Sequence, residues 1–188
     1  MTLADRRLVR IIALSILALL LTGCATFSPV DGYQGPTATL EDSYQWTEND
    51  SCGSFFFLYE YDGHGVDNAL QATAQANAGR GFRMSPKGAS RPVPARDATF
   101  HINGRTHCAA PIQELVGTVY LVHGNVRFTP AAGATYVITG ELAADHSAVW
   151  IEDKATHAQV GNKLLIKGLA KAGLFDQSST PEQIPPGN

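Results

Sequence analysis

SFFFLYEY, residues 54–61, is the stretch of sequence that decides the fold class. In an extended strand, alternate side chains lie on the same face. One face of this segment then carries four aromatic residues, namely Phe55, Phe57, Tyr59 and Tyr61. The opposite face carries Phe56 and Leu58. A strand that is apolar on both faces is typical of the middle of a sheet, and Asp62-Gly63 predicts a turn at its end.

Short alternating segments continue this pattern along the chain. They cover residues 37–40, 98–102, 106–110, 116–123, 126–128, 135–142, 147–153 and 157–160. We expect tight hairpin turns at Asn103-Gly104 and at Gly124-Asn125, and a short edge strand at 37–40 that recruits a partner strand. About seven or eight short strands separated by turn signals predict an all-β fold, an antiparallel β-sandwich of the immunoglobulin-like or transthyretin-like kind.

Two segments depart from strand alternation. Residues 67–78 are rich in Ala and Gln, with Asp67 as a candidate N-cap and Gly79 as a candidate C-cap. Their only large apolar residue is Leu70, so the segment is interpreted as a helix or a mobile insertion. Residues 162–174 fit either a closing strand or a short amphipathic helix. The sandwich therefore has at most one or two short helices.

Length and composition bound the class of protein. The chain has 188 residues, of which 44% are hydrophobic and 16% charged. This balance excludes a coiled coil, a charged disordered protein and a polytopic membrane protein. With a formal charge of −3 and a pI near 6.0, we expect no nucleic-acid partner. We expect one compact domain over residues 37–175, a tether over 24–36 and a disordered tail over 176–188.

The amino terminus has the three parts of a secretory signal. Arg6, Arg7 and Arg10 form a basic start, and an apolar run over 11–21 follows. The run is shorter than the ~20 residues that a membrane-spanning helix needs. Residues 1–23 are therefore predicted to be a signal peptide.

The signal ends in a tetrapeptide, Leu21-Thr22-Gly23-Cys24, that resembles the lipobox of bacterial lipoproteins. The resemblance implies that the Cys24 thiol receives a diacylglyceryl group. It also implies that the chain is cut before Cys24 and that a fatty acid such as palmitate is attached to the new amino group. Three acyl chains make membrane attachment lasting. Because Ala25 stands where an Asp favours inner-membrane retention in that family, we expect the periplasmic face of the outer membrane, or the cell surface in a monoderm host.

The body is similar to small bacterial lipoproteins of unknown function over residues 54–153. The resemblance rests on the aromatic strand ending at Asp62-Gly63, on RPVP at 91–94 and on GATYVI at 133–138. It implies a β-sandwich and brings no catalytic residues with it.

Cys52 and Cys108 are the cysteines left after lipidation, in a compartment that is oxidising. We predict a disulfide between them, with a stabilisation of ~4 kcal/mol from loop closure. The alternative is a metal site that uses Cys108, His107 and His101. These residues lack the C-x-x-C or H-x-x-x-H spacing of metal sites, so no metal or other cofactor is expected.

Two further features are candidate contact sites. Trp150 lies opposite Val149 and Ile151 in its strand, so it is either exposed and able to stack on a sugar or packed in the core. A basic stretch is either a solvated loop or a surface for lipid headgroups, lipopolysaccharide phosphate or an acidic partner. Its members are Arg80, Arg83, Lys87, Arg91 and Arg96.

The sequence therefore predicts a membrane-anchored envelope lipoprotein, not an enzyme, with a structural or partner-binding domain. The partner would be an envelope protein or a glycan. A carbohydrate- or peptidoglycan-binding module that uses Trp150 is the alternative. A hydrolase comes last, because the six His are scattered and no H-E-x-x-H, G-x-S-x-G or S-x-x-K motif occurs.

Overall fold

The computed structural model describes residues 27–46, 51–116, 118–168 and 180–187. Within these ranges lie eleven strands and two short helices. The strands are β1 (Thr37–Glu41), β2 (Ser43–Gln45), β3 (Cys52–Tyr61), β4 (His64–Gly65), β5 (Ser90–Pro94), β6 (Ala98–Cys108), β7 (Leu121–Phe128), β8 (Thr135–Leu142), β9 (His146–Asp153), β10 (Gln159–Lys167) and β11 (Glu182–Ile184). The helices are α1 (Ala69–Asn77) and α2 (Pro111–Val116). The all-β prediction is confirmed, with more strands than expected.

The strands form two sheets. The first sheet has the order β11-β10-β9-β8-β1-β5, and the second has the order β2-β3-β6-β7 with β4 paired to β3. Among the described residues every paired strand runs antiparallel to its neighbour except β1 and β8, which are parallel. The predicted antiparallel arrangement is therefore wrong at this one pair.

The main core takes side chains from both sheets. The first sheet contributes fully buried Leu40, Ile138 and Ile151, and the second contributes Phe56 and Ile102. The alternation predicted for β9 holds, because Val149 and Ile151 both point into this core.

A β-bulge in β3 redirects its last aromatic residue. Leu58 lies opposite Ile102, but Glu60 lies opposite the next residue of β6, His101, so Tyr59 is the extra residue. Tyr61 therefore joins the core cluster rather than the face of Phe55. The prediction that Tyr61 shares the Phe55 face is wrong, because simple alternation cannot show an extra residue.

The two predicted tight turns at glycine are strand interiors. β6 runs through Asn103-Gly104, and β7 runs through Gly124-Asn125. Gly104 lies opposite Phe56, and a Cβ there would come within 3.1 Å of Phe56 Cδ1. These glycines therefore make room for large neighbours instead of turning the chain.

β1 is an interior strand rather than the predicted edge, because β5 pairs with one side of it and β8 with the other. It therefore has no free side on which to recruit a partner strand. β5 is the edge of this sheet, and its Pro92 and Pro94 have no N–H to offer to an added strand.

α1 confirms the helical interpretation of residues 67–78. Its N-cap is Asn68, one residue after the predicted Asp67. Asn68 Oδ1 accepts from the backbone N–H of Gln71, and Gln71 Oε1 accepts from that of Asn68. The helix lies on the outer face of the second sheet, where Leu70 packs against the cluster of Phe55, Phe57 and Met84.

The ends of the domain differ from the predicted boundaries. Pro29 is buried and the Phe27 ring stacks on His64 at 4.6 Å, so residues 27–30 of the predicted tether pack on the body. β11 pairs with β10, so the predicted disordered tail is wrong at Glu182–Ile184. Residues 162–167 belong to β10, and residues 169–174 of the same ambiguous segment lie outside the described residues.

Candidate functional site

The predicted disulfide joins Cys52 and Cys108. The two residues face each other where β3 pairs with β6, with a Cα–Cα distance of 4.0 Å. The strand register therefore aligns the two cysteines. Cys24, the predicted lipid attachment residue, lies outside the described residues.

A groove of about 420 Å³ lies beside this disulfide, between the end of α1 and the start of α2. We call it the α1–α2 groove. Its walls are mostly small residues: Ala74, Asn77, Ala78, Gly79 and Gly81 on one side and Cys108, Ala109, Ala110 and Pro111 on the other. His107 and Glu114 supply its ionisable groups.

Glu114 fastens α2 to β6. Its Oε1 accepts from His107 Nδ1 at 2.6 Å and from the backbone N–H of Cys108 at 3.0 Å. Its Oε2 accepts from Arg105 Nη2 at 3.0 Å. Burial raises the pKa of Glu114, but the hydrogen bonds from His107 and Cys108 and the charges of His107 and Arg105 outweigh it and lower the pKa to about 2. The carboxylate is therefore ionised at any physiological pH.

The polar groups of the groove are already engaged within the fold. Asn77 Nδ2 donates to Thr73 O at 2.7 Å and to Ser85 O at 3.1 Å. Cys108 is held in the disulfide, and none of the described lining residues carries a hydroxyl or a free thiol. The His107–Glu114 pair therefore acts here as a structural tie between strand and helix.

Trp150 lies on the outer face of the first sheet and is partly exposed. Lys163 Nζ stands 3.9 Å from the centre of the indole ring, and Trp150 Nε1 donates to Glu152 Oε2 at 3.4 Å. Lys163 belongs to the irregular part of β10, between Val160 and Leu164. A sugar stacking on this ring face has to displace the ammonium group, so the indole is not a ready platform.

The three residues of the alternative metal site are engaged separately. His101 lies within hydrogen-bond distance of His123, with Nε2–Nδ1 at 3.2 Å, and of Asn125, with Nδ1–Oδ1 at 3.0 Å. Burial and the neighbouring His101 lower the pKa of His123. His107 pairs with Glu114, and Cys108 is bridged. Within the described ranges, no three His, Cys, Asp or Glu side chains are grouped to hold a metal ion.

The basic stretch divides into two groups. Arg91 forms a two-pronged ion pair with Asp42 at 2.7 Å, and Arg96 pairs with Asp62 at 2.8 Å. In contrast, Arg80, Arg83 and Lys87 are exposed and form no ion pair with any residue that the structure describes.

Asp42 is a structural residue that sequence reasoning missed. Its buried carboxylate accepts from the backbone N–H of Leu58 at 3.1 Å and from that of Ala69 at 2.8 Å, as well as from Arg91. It thereby joins β3, the start of α1 and β5. The sequence offers no signal for this role, since the partners are 16 to 49 residues away.

Comparisons with protein-family models, with curated proteins and with solved structures found no match for this chain. Within the residues that the structure describes, neither helix is long and apolar enough to cross a membrane.

Proposed function

We propose that this chain is an envelope lipoprotein held at the periplasmic face of the outer membrane by acylated Cys24. Its domain would have a non-catalytic structural or partner-binding role. The observation that carries the proposal is the Cys52–Cys108 disulfide. Such bridges persist in oxidising compartments, so the bridge supports export of the chain. The signal-like segment and the Leu21-Thr22-Gly23-Cys24 tetrapeptide support export followed by lipid attachment.

We further propose that the two sheets form a β-sandwich. The support is the core cluster, in which Ile138 and Ile151 of one sheet pack with Phe56 and Ile102 of the other. Two sheets that share one apolar interior are the arrangement expected of a sandwich.

The packed residues 27–30 bring the proposed anchor close to the body. Only Ala25 and Thr26 separate Cys24 from Phe27, which stacks on His64. Extended chain covers about 3.3–3.6 Å per residue, so the segment that joins Cys24 to Phe27 can span at most about 11 Å. An acylated Cys24 would therefore hold the domain close to the membrane surface, without a long flexible linker between them.

Substitution of Cys24 tests the anchor directly. The full chain is produced in a diderm bacterium, fractionated and analysed by mass spectrometry and lipid labelling. We expect the parent protein to be cleaved, acylated and membrane-bound, and Cys24→Ser to remain an unlabelled, uncleaved precursor. The matched control is Cys52→Ser with Cys108→Ser, which removes the two bridged cysteines and leaves Cys24 to be acylated.

Two results would contradict this proposal. One is normal processing and membrane attachment of Cys24→Ser. The other is a native product that stays in the cytosol with its leader uncut and with Cys52 and Cys108 both open to alkylation.

A further inference from the structure

Positive charge without a partner is concentrated in one loop. Residues 79–87, here called the basic loop, carry exposed Arg80, Arg83 and Lys87. The sequence from 68 to 96 contains no Asp or Glu to neutralise them. The other described Arg and Lys residues all contact a carboxylate or the Trp150 ring, as the ion pairs of Arg91, Arg96, Arg105, Arg127, Lys154 and Lys167 and the ring contact of Lys163 show.

The same region carries the most exposed large apolar side chains of the described chain. Phe82 in the basic loop is 62% exposed, and Ile112 and Leu115 on α2 are 54% and 63% exposed. Gly79 and Gly81 line one side of the α1–α2 groove and Pro111 lines the other, so the loop and α2 flank one groove. We call the surface made of the basic loop and α2 the loop–α2 face.

The basic loop is held at its base while its tip projects. Met84 is buried against Phe55 and Phe57. The backbone N–H of Ser85 donates to Asn77 Oδ1 at 2.8 Å, and that of Lys87 donates to Thr73 Oγ1 at 2.9 Å. These contacts fix the returning half of the loop to α1. Arg80, Phe82 and Arg83 therefore extend from an anchored support.

The loop–α2 face and Phe27, which follows the proposed anchor by three residues, lie near the two ends of α1. Phe27 lines a cavity with Asn68 and Ala72 near the start of the helix, and Gly79 follows its end. Nine helical residues span about 14 Å, so the two regions are close enough for one membrane surface to contact both. The exposed α1 residues between them, Gln71, Ala74 and Gln75, are uncharged, and exposed Asp67 lies just before the helix, at the end near Phe27.

We propose that the loop–α2 face lies against an anionic phospholipid surface and orients the anchored domain. Arg80, Arg83 and Lys87 would bind headgroup phosphates, and Phe82, Ile112 and Leu115 would enter the boundary between headgroups and acyl chains. Cations beside exposed apolar side chains are the combination that interfacial surfaces use. This inference rests on the proposed lipid anchor and adds which face the anchor presents to the membrane.

A single environment-sensitive probe tests the orientation. In the full chain Cys24 is acylated and Cys52 and Cys108 are bridged, so Phe82→Cys supplies one free thiol for a nitrobenzoxadiazole label. The labelled protein is reconstituted into vesicles of phosphatidylcholine, with and without phosphatidylglycerol. We expect blue-shifted, salt-sensitive emission only with phosphatidylglycerol. Ala155→Cys, in an exposed turn of the first sheet, is the matched site and keeps the emission of a solvated probe.

Charge variants of the labelled protein test the headgroup contacts. Each substitution among Arg80→Gln, Arg83→Gln and Lys87→Gln is expected to lower the ratio of contacting to free orientations about fivefold. A variant with all three loop substitutions has a matched control, Lys154→Gln with Lys163→Gln and Lys167→Gln. The control removes the same number of positive charges and should leave the ratio unchanged.

The proposed orientation is contradicted if the probe at position 82 emits like a solvated probe in anionic vesicles. It is also contradicted if the emission shifts equally in phosphatidylcholine alone. A failed anchor is recognised separately, because the mass of the amino-terminal peptide then lacks acyl chains.

Discussion

At the scale of single residues, two carboxylates hold distant parts of the chain together. Asp42 accepts hydrogen bonds from Leu58, Ala69 and Arg91 and is itself almost fully buried. Glu114 accepts from three donors of β6 and so fixes the short helix that flanks the α1–α2 groove. Each carboxylate is stabilised by donors that would be left without a partner if it were removed.

Glu114→Gln tests this role through its pH dependence. The folded-state pKa of Glu114 is about 2, below its ordinary value of 4.5, so its contribution to stability is complete above pH 4.5 and is lost as pH falls toward 2. We expect a loss of about 1.5–3 kcal/mol in the free energy of unfolding at pH 7. Urea unfolding at pH 7, 4 and 2.5 should show the two proteins converging at the lowest pH.

The control for this substitution is Glu182→Gln, which removes an exposed carboxylate paired with Lys167. Exposed pairs contribute about 0–1 kcal/mol, so this variant should stay close to the parent. A difference between parent and Glu114→Gln that is the same at all three pH values would contradict the assignment.

At the scale of strands, glycine has a packing role in both sheets. Gly104 of β6 and Gly140 of β8 both face Phe56, whose ring lies in the core between the sheets. A Cβ on Gly140 would overlap the carbonyl oxygen of Ala148 and come within 2.5 Å of Phe56 Cε1. The sheets therefore accommodate a central aromatic ring by omitting side chains opposite it.

Gly140→Ala is expected to destabilise the fold by about 1–3 kcal/mol, because Phe56 and the backbone of β9 would both have to move. Thermal or urea unfolding measures the change. Gly65→Ala is the control, since a Cβ there meets nothing within 4 Å. Equal midpoints for the two variants would show that the core has room at Gly140.

Sequence patterns predicted the positions of the strands along the chain better than they predicted which strands pair in a sheet. The predicted strands at 135–142 and 147–153 follow from alternation, and both are present as β8 and β9. The interior position of β1 depends on β5 and β8, which are far away in the chain, and alternation within 37–40 carries no information about them. The same limit applies to Gly104, where the deciding neighbour, Phe56, is on another strand.

At the scale of the whole molecule, the disulfide links segments separated by 56 residues. It joins the start of β3 to the end of β6, next to the α1–α2 groove. Its main effect in the chain-entropy description is to restrict the unfolded chain.

Replacing both cysteines, Cys52→Ala with Cys108→Ala, should lower the free energy of unfolding by ~4 kcal/mol. Urea denaturation of the double variant and of the parent gives this difference. The parent protein treated with a reductant should unfold at nearly the same urea concentration as the variant. If oxidised and reduced parent unfold together, the bridge does not form in the native protein.

The residues along the chain were enough to predict an all-β body and the Cys52–Cys108 pair, because alternation and the small number of cysteines are local or countable properties, whereas they left residues 67–78 open between a helix and a mobile insertion. The order of the strands, the buried role of Asp42 and the division of the basic residues required the folded chain. Arg91 and Arg83 are alike in sequence, yet one is neutralised by Asp42 and the other is exposed. Folding brings together groups that are distant along the chain, and that proximity decides which charges are satisfied and which remain for a partner.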